Sequence, residues 1–394
     1  MDAEAIRSSP IGLVVPIKGF DPSFNEEYEH FAYLPADLPA VIRLEPATYS
    51  MVVDATAALA RADQATALLP NPTLLARPAV RREAVSTSAL EGTFAALTDV
   101  FEADFLDRDQ MSGSVGAVHN YVRAAETAYS WMSEGRPISV SMLESLHEIL
   151  VKGTRSDGAE AGHVRTTQVF IGAGRGRVTE CRFVPPPPDQ RLMDGFRHWE
   201  DWVNRPVTDL PSIVRLALAH YQFESLHPFN DGNGRLGRLV CALQLLRYGN
   251  LQNPILNIAP WLERNREEYQ RHLLQVSLTG SWDEWVEFIC AAIHSESLEV
   301  IQRVDRLHSI RESFKSTLAS AGAKGVSLRI AEDLIGYPMI TAQLASEVYK
   351  VSYPAANNAI QRMVQVGILR QRSEGNYSRI FACDAVLGSL EMSS

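Results

Sequence analysis

The sequence predicts a mostly α-helical chain that carries one small β-hairpin and ends in a winged helix-turn-helix unit. Three observations support this. Apolar residues recur at helical spacing along most of the 394 residues. The periodicity breaks once, between Val164 and Pro188, where β-branched and aromatic residues flank a turn rich in glycine and arginine. Past a glycine-containing stretch at 321–325, two short helical patterns are followed by a strand, a turn and a strand.

In order, residues 1–46 are mixed and proline-bearing, and a loop is expected there. Residues 48–69 read as a helix rich in alanine and leucine, stopped by Pro70 and Pro72. A second helix over 78–93 ends at Gly92, a natural C-terminal stop. Helices follow over 94–105, 115–133 and 141–150, the last opened by Ser141 three residues ahead of Glu144, a capping box. The hairpin comprises 164–172, a turn over 172–177 and a second extended piece at 182–184, before the run of prolines at 185–188. Helices resume at 189–203, at 211–226, from a central motif through Tyr248, and at 263–277 and 282–318. In the C-terminal unit, helices at 341–349 and 353–366 are joined by Lys350-Val-Ser352, with a turn around Glu374-Gly375-Asn376 and a last strand at 378–382. The expected division is an N-terminal helical region (1–114), a core (115–300), a linker helix (301–325) and the winged unit (326–394).

Composition excludes several classes. With 46% hydrophobic and 21% charged residues the chain has ample material for a core. A net charge of −10 argues against a surface coated in basic residues for nucleic acid. No apolar run approaches bilayer length, and the first residues lack the basic start and apolar middle of a secretory signal, so a cytoplasmic protein without membrane contact is expected. Cys181, Cys241, Cys290 and Cys383 are far apart and form no metal-ligand pattern; buried, reduced thiols are expected.

The chemistry concentrates in His227-Pro-Phe-Asn-Asp231-Gly-Asn233-Gly-Arg235-Leu-Gly-Arg238, followed at once by apolar residues. Gly232 and Gly234 let the backbone turn sharply and approach a ligand closely. A helix starting there aims its free N–H groups and positive dipole end into the loop, which makes an anion site. Arg235 and Arg238, three apart, can both fork onto phosphate oxygens. Asp231 supplies a hard oxygen for Mg²⁺, an ion usually held by one or two carboxylates plus substrate phosphates. An imidazole at His227 can take a proton from an attacking hydroxyl. The same stretch fits the dinucleotide pattern G-x-G-x-x-G, but no apolar strand precedes it and that pattern gives two arginines no task. His147-Glu148 begins a zinc-protease motif but lacks its second histidine, and no phosphate-loop lysine signature occurs.

This motif resembles the signature of Fic (Fido-fold) enzymes, H-x-F-x-[D/E]-G-N-G-R-x-x-R, and matches it at every specified position. The resemblance implies a Fido-fold helical core and transfer of AMP from ATP to a hydroxyl on a target protein, with Mg²⁺ and release of pyrophosphate. It implies His227 as general base and Asp231 as metal ligand. Phe229, Asn230, Asp231, Gly232, Asn233, Gly234, Arg235 and Arg238 would form the nucleotide site, and Gln222 and Asn265 are further candidates. Thr87-Ser-Ala-Leu-Glu91-Gly92 resembles the family's inhibitory motif, [S/T]-x-x-x-E-[G/N], and the preceding Leu68-Leu-Pro-Asn-Pro72 resembles the subclass with an N-terminal inhibitory helix. Glu91 would pair with Arg238 and occupy the charge needed by the γ-phosphate, with Thr87 on the same helix face.

In that family a flap beside the active site docks an extended target segment by adding a strand; Val169, Phe170, Ile171 and Gly172, with Phe183-Val-Pro-Pro, resemble it. The C-terminal unit resembles the winged helix of many prokaryotic Fic proteins. Asn357, Asn358, Gln361 and Arg362 on its second helix suit base edges, and Arg370, Arg372 and Arg379 suit phosphates. Six nearby carboxylates nearly cancel this charge, which favours protein contact or homodimer support over DNA. Two readings stand: an autoinhibited protein adenylyltransferase, and a DNA-binding regulator whose core senses nucleotide. Other donors, or removal of AMP, remain open within the enzyme class.

Overall fold

The first 46 residues depart from the loop expected of them. In a computed structural model, α1 (Ala3–Arg7) leads into strands β1 (Gly12–Asp21) and β2 (Glu26–Pro35), paired antiparallel from Gly12 opposite Pro35 to Asp21 opposite Glu26. Pro16 is tolerated because both strands of a two-stranded sheet are edges. Gly19 leaves room for the ring of Tyr28 across the ladder; a Cβ there would come within 2.6 Å of its hydroxyl. The inner face carries Val15 and Ile17 against Ala32, Cys181 and Val184. The structure describes residues 3–21, 24–69, 71–172, 177–206, 210–372 and 379–392. Pro70, the turn at 173–176 and the turn around Glu374-Gly375-Asn376 lie outside them, as does Ser378 of the expected last strand.

The helices fall close to expectation. They are α2 (Pro46–Ala65), α3 (Ala76–Leu90), α4 (Leu97–Glu102), α5 (Gly113–Ser133) and α6 (Val140–Val151). The cap of α6 is Ser139 rather than Ser141: its hydroxyl accepts from the Met142 amide at 3.1 Å, because Ser139 is the residue with extended backbone. Among the described residues the expected central hairpin shows one bridge, Ile171 opposite Phe183. Then come α7 (Gln190–Asn204), α8 (Ser212–Leu226) and α9 (Asn233–Arg247). The next expected helix is two, α10 (Ala259–Arg264) and α11 (Arg266–Thr279), broken at Asn265. The long α12 (Asp283–Ser320) crosses the expected boundary at residue 300 without interruption.

The C-terminal unit contains α13 (Val326–Asp333), β3 (Met339–Ile340), α14 (Ala342–Tyr349), α15 (Tyr353–Gln365), β4 (Arg370–Gln371), β5 (Phe381–Ala382) and α16 (Asp384–Glu391). Lys350 turns the chain between α14 and α15 in the left-handed region, and the strands order β3-β5-β4. Its apolar residues join the same continuous core as the rest of the chain. All four cysteines are buried, and no disulfide joins them. No helix among the described residues is long and apolar enough to cross a membrane.

Helices α8 and α9 bury almost every side chain, polar ones such as His220, Arg235 and Arg238 included, and form the centre. Trp199 and Trp285 cap that centre, donating to the Ala219 and Ala217 carbonyls of α8 at 2.9 and 2.7 Å. Helix α3 crosses the open end of α9 and is fixed by Arg81, which is 2% exposed. Arg81 grips both oxygens of Asp104 at 2.8 and 2.7 Å and reaches Glu126 at 3.2 Å. Arg81→Ala leaves Asp104 with only the longer contacts to Arg77 at 3.2 Å and His119 at 3.3 Å, and is expected to cost about 3 kcal/mol, the lower end for breaking a buried pair. An unchanged chemical-denaturation midpoint contradicts this.

Candidate active site

Helix α8 ends at His227, which has φ of +49°, and the motif loop runs to Gly232, φ +77°, where α9 begins. A non-glycine residue in the left-handed region is uncommon, and the surroundings hold this one firmly. Arg165 does most of that work. It is 2% exposed, and its guanidinium donates to the His227 carbonyl at 2.8 Å, to Pro186 at 2.6 Å and to Thr167 at 3.1 Å. Its own amide donates to Pro228 at 2.9 Å. The loop is anchored inward by Phe229, whose fully buried ring stacks on His147 at 4.4 Å. Both side-chain atoms of Asn233 are spent on Phe229, accepting from its amide at 2.8 Å and donating to its carbonyl at 2.6 Å. Asn233 therefore shapes the loop. Asn230 is likewise engaged, with Thr167 and Glu160.

His227 places Nδ1 3.4 Å from the Glu224 carbonyl, a donor position that leaves Nε2 as the acceptor. Burial, and then the charge of Arg165, bring its pKa down to about 4, so the ring is neutral at pH 7. Asp231 is ionised: burial works against this, but Ser156 donates to Oδ2 at 2.6 Å, and Arg235 and the Gly232 amide add to the pull. His147 bolts the neighbouring loop on, with Nε2 3.0 Å from the Asp231 carbonyl and Nδ1 accepting from the Gly162 amide at 2.9 Å. One ionised carboxylate beside an anion-binding helix start suits Mg²⁺, which takes its remaining ligands from water and substrate phosphates. No cluster of three or more His, Cys, Asp or Glu able to hold a metal occurs among the described residues.

The expected link between α3 and α9 is present as geometry. Arg238, 2% exposed, donates from Nε to the Thr87 hydroxyl at 2.6 Å and from Nη2 to the Thr87 carbonyl at 3.1 Å and to Glu91 Oε1 at 2.7 Å. Thr87 and Glu91, four apart, share one helix face. Burial pushes the Glu91 carboxyl up, yet the Arg238 charge and hydrogen bond hold it below the usual range. Gly234 sits beneath the Glu91 carboxylate, where a Cβ would collide with it.

These groups open on a cavity of about 430 Å³. Of the residues singled out from sequence, Glu91, Ile171, Gly172, His227, Gly234 and Arg238 line it. Glu224, Arg182, Tyr269 and Ser277 also line it and were missed, since nothing in their local spacing marks them. Gln222 is turned away: its amide donates to the Ala36 carbonyl at 3.0 Å, behind α8. Asn265 bonds the Trp261 carbonyl at 2.9 Å at the break between α10 and α11, outside the cavity lining. In the segment expected to be a flap, Ile171 and Phe183 face the cavity, while Phe170 packs edge-on against Tyr28 of β2. The arginines expected to meet DNA phosphates are paired within the chain. Arg370 holds Asp384 at 2.7 Å, Arg372 holds Glu102 of α4 at 2.8 Å, and Arg379 reaches Asn357 at 3.3 Å.

Residues 49–130 match the Fic/DOC family N-terminal model and residues 137–245 the Fic/DOC family model. Protein adenylyltransferase fic-1 of Caenorhabditis elegans is 33% identical over 186 residues, covering 45% of this chain and 32% of that protein. A uridine 5'-monophosphate transferase of Xanthomonas campestris pv. campestris is 31% identical over 135 residues, covering 32% of this chain and 24% of that protein. The alignments thus span a third or less of those relatives' own length. A Fic family protein from Desulfovibrio desulfuricans G20 has the same fold, with a TM-score of 0.54 at 19% identity over 88% of this chain and 98% of the other. With the twelve-residue motif filled at every specified position and both family domains matched in order, the chain belongs to the Fic/DOC family.

Proposed function

We propose that the protein is an autoinhibited protein adenylyltransferase, transferring AMP from ATP to a hydroxyl side chain of a target protein and of itself. The observation that carries this reading is the double use of Arg238. It stands on the second turn of the anion-binding helix, and its guanidinium is already occupied by Thr87 and Glu91. In the reaction, neutral His227 takes the hydroxyl proton through Nε2, and the new bond forms at the α-phosphorus as the bond to pyrophosphate breaks. The start of α9, Arg235 and Arg238 hold the phosphates and align that bond. Asp231 would hold Mg²⁺, which when bound neutralises phosphate charge. The adenylyltransferase relatives favour AMP, and the uridine monophosphate transferase among them keeps UMP as the alternative donor. The test is the intact mass of Glu91→Gly after incubation with ATP and Mg²⁺. A gain matching AMP supports the reading, a gain with UTP alone moves the donor, and no gain with either, with or without an added acceptor protein, removes it.

The DNA-binding alternative is weakened by the pairing of Arg370, Arg372 and Arg379. Duplex DNA is expected to show no gel shift at moderate salt, and a shift that weakens steeply as salt rises reverses this reading.

A further inference from the structure

Among the described residues Glu224 is the one acidic residue lining the cavity besides Glu91. It lies on the last turn of α8, three residues before His227, and its carbonyl is the oxygen that faces His227 Nδ1. Its side chain presses on α9 one residue before Arg238: a Cβ on Gly237 would come within 2.5 Å of Glu224 Oε1. That oxygen is buried and has no hydrogen-bond partner among the described residues. Arg238 spends Nε and Nη2 on Thr87 and Glu91, which leaves Nη1 without a hydrogen bond to the described residues. A buried acceptor with no donor and a guanidinium nitrogen with no acceptor among the described residues therefore belong to side chains that line one cavity.

We propose that Glu224 is a specificity-determining residue of this nucleotide site, a second carboxyl set to compete with the terminal phosphate for Arg238 once Glu91 moves away. The inference rests on the reading of the cavity as a nucleotide site. While Glu91 is in place, Glu224 is held near neutrality: burial pushes its carboxyl up to about 7, with Glu91 adding and Arg238 opposing. Removing Glu91 removes one of the raising causes, so the value falls below about 7 and Glu224 charges at neutral pH beside Arg238. A γ-phosphate arriving at the same guanidinium then meets a like charge and binds tightly only as Glu224 takes up a proton. Affinity for a nucleoside triphosphate consequently falls as pH rises through the Glu224 pKa. A diphosphate, which does not reach Arg238 with a γ-phosphate, is affected less.

The other groups facing this point behave differently. His227 is brought down to about 4, while Tyr269 of α11 and Cys241 of α9 are pushed well above their usual values by burial. Glu83 of α3 is raised by burial to about 8 and accepts from the Ala259 amide at 3.3 Å. It is the other group able to titrate in this range, so the comparison must be made with and without Glu224.

The measurement is calorimetric titration of an ATP analogue, non-hydrolysable between its α- and β-phosphates, into Glu91→Gly at pH 6, 7 and 8. The same titration is run on Glu91→Gly/Glu224→Gln and Glu91→Gly/Glu224→Asp. For Glu91→Gly the Kd is expected to weaken on the order of tenfold across that range, the loss tied to one proton over about one unit above its pKa. The glutamine variant is expected to lose most of that slope and to bind more tightly at pH 8, and the aspartate variant to keep it, which separates charge from packing. Equal slopes in the glutamate and glutamine proteins overturn the proposal. Failure of Glu91→Gly to bind the analogue at any pH instead overturns the nucleotide reading beneath it.

Discussion

Glu91→Gly is expected to raise transfer about 10- to 100-fold over the wild type, the usual span of coupling between two competing occupants of one site. While Glu91 Oε1 sits 2.7 Å from Arg238, a γ-phosphate reaching the same guanidinium meets the negative charge of Glu91. The ion pair is strong where it matters, since the guanidinium is almost wholly buried and an anion opposite it is needed in every state. In the wild type ATP must supply that anion by displacing one already present. In Glu91→Gly the position is vacant, so the phosphate chain seats fully and the α-phosphorus lines up for attack. Glycine is well placed sterically, because Glu91 closes α3 just ahead of Gly92, which already turns with φ of +80°. The variant should also be less stable without ligand and gain more thermal stability from ATP than the wild type does. The change is checked with labelled ATP and self-modification as readout; equal incorporation by both proteins would falsify the brake. Thr87→Val is expected to act in the same direction more weakly, since it removes the 2.6 Å hydroxyl contact and keeps the charge.

Local features were legible in the sequence and long-range ones were legible only where a pattern tied them together. His227, Gly232, Gly234 and Arg238 fall within twelve residues, so their spacing alone implies a helix start over an anion. The pairing of Glu91 with Arg238 joins positions 147 apart, and only the resemblance between two motifs connected them. Arg165 and Ser156 escaped notice, and His147 was seen only as the start of an incomplete zinc-protease motif, because they act on backbone groups and on one carboxylate oxygen, contacts that leave no periodicity. Gln222 and Asn265 were misplaced for the opposite reason, since a polar residue near a motif carries no sign of which helix face it occupies. The β1–β2 hairpin was read as loop from the mixed, proline-bearing composition of residues 1–46, although an edge strand accepts Pro16. Its alternating Val15 and Ile17 were the signal available. The wing arginines looked free because their partners lie elsewhere. For Arg372 the partner is on α4, 270 residues away.

That last contact places the C-terminal unit against α4, the helix that follows Thr87 and Glu91 in the chain. Arg77 of α3 donates to the Gly336 carbonyl at 3.2 Å and lies 4.4 Å over the Tyr337 ring. Arg372 holds the far end of α4. The C-terminal unit is thereby joined to both helices flanking Gly92, and Arg81, one turn after Arg77 on the same face, ties α3 to Asp104. Glu91 is therefore presented to Arg238 by a framework braced at several points, which makes release of the carboxylate, rather than melting of α3, the smaller motion.

In the Glu91→Gly background, His227→Asn is expected to reduce transfer 10²- to 10⁴-fold, the span that a general base contributes, while changing ATP affinity only a few-fold. Asparagine is the informative replacement because it tolerates the left-handed backbone at this position, φ +49°, better than alanine and keeps the loop in place. The affinity is preserved because the phosphates are held by the start of α9 and the arginines, none of which depends on the imidazole. The ring is neutral well below physiological pH, since burial and Arg165 bring it to about 4. Losing Glu91, which raises that value, lowers it further. As pH rises the base form is complete before pH 6, so kcat of Glu91→Gly is expected to be flat from pH 6 to 8 and to fall only in more acid solution. A low pKa also makes the imidazole a weak base, so the proton transfer must be late, when the hydroxyl has already begun to bond to phosphorus and has become more acidic. The kcat profile and the Kd profile should therefore separate, the first flat with His227 and the second sloped with Glu224. A kcat that climbs tenfold between pH 6 and 8 shows instead that deprotonation of another group limits the reaction, and His227 is then not the base.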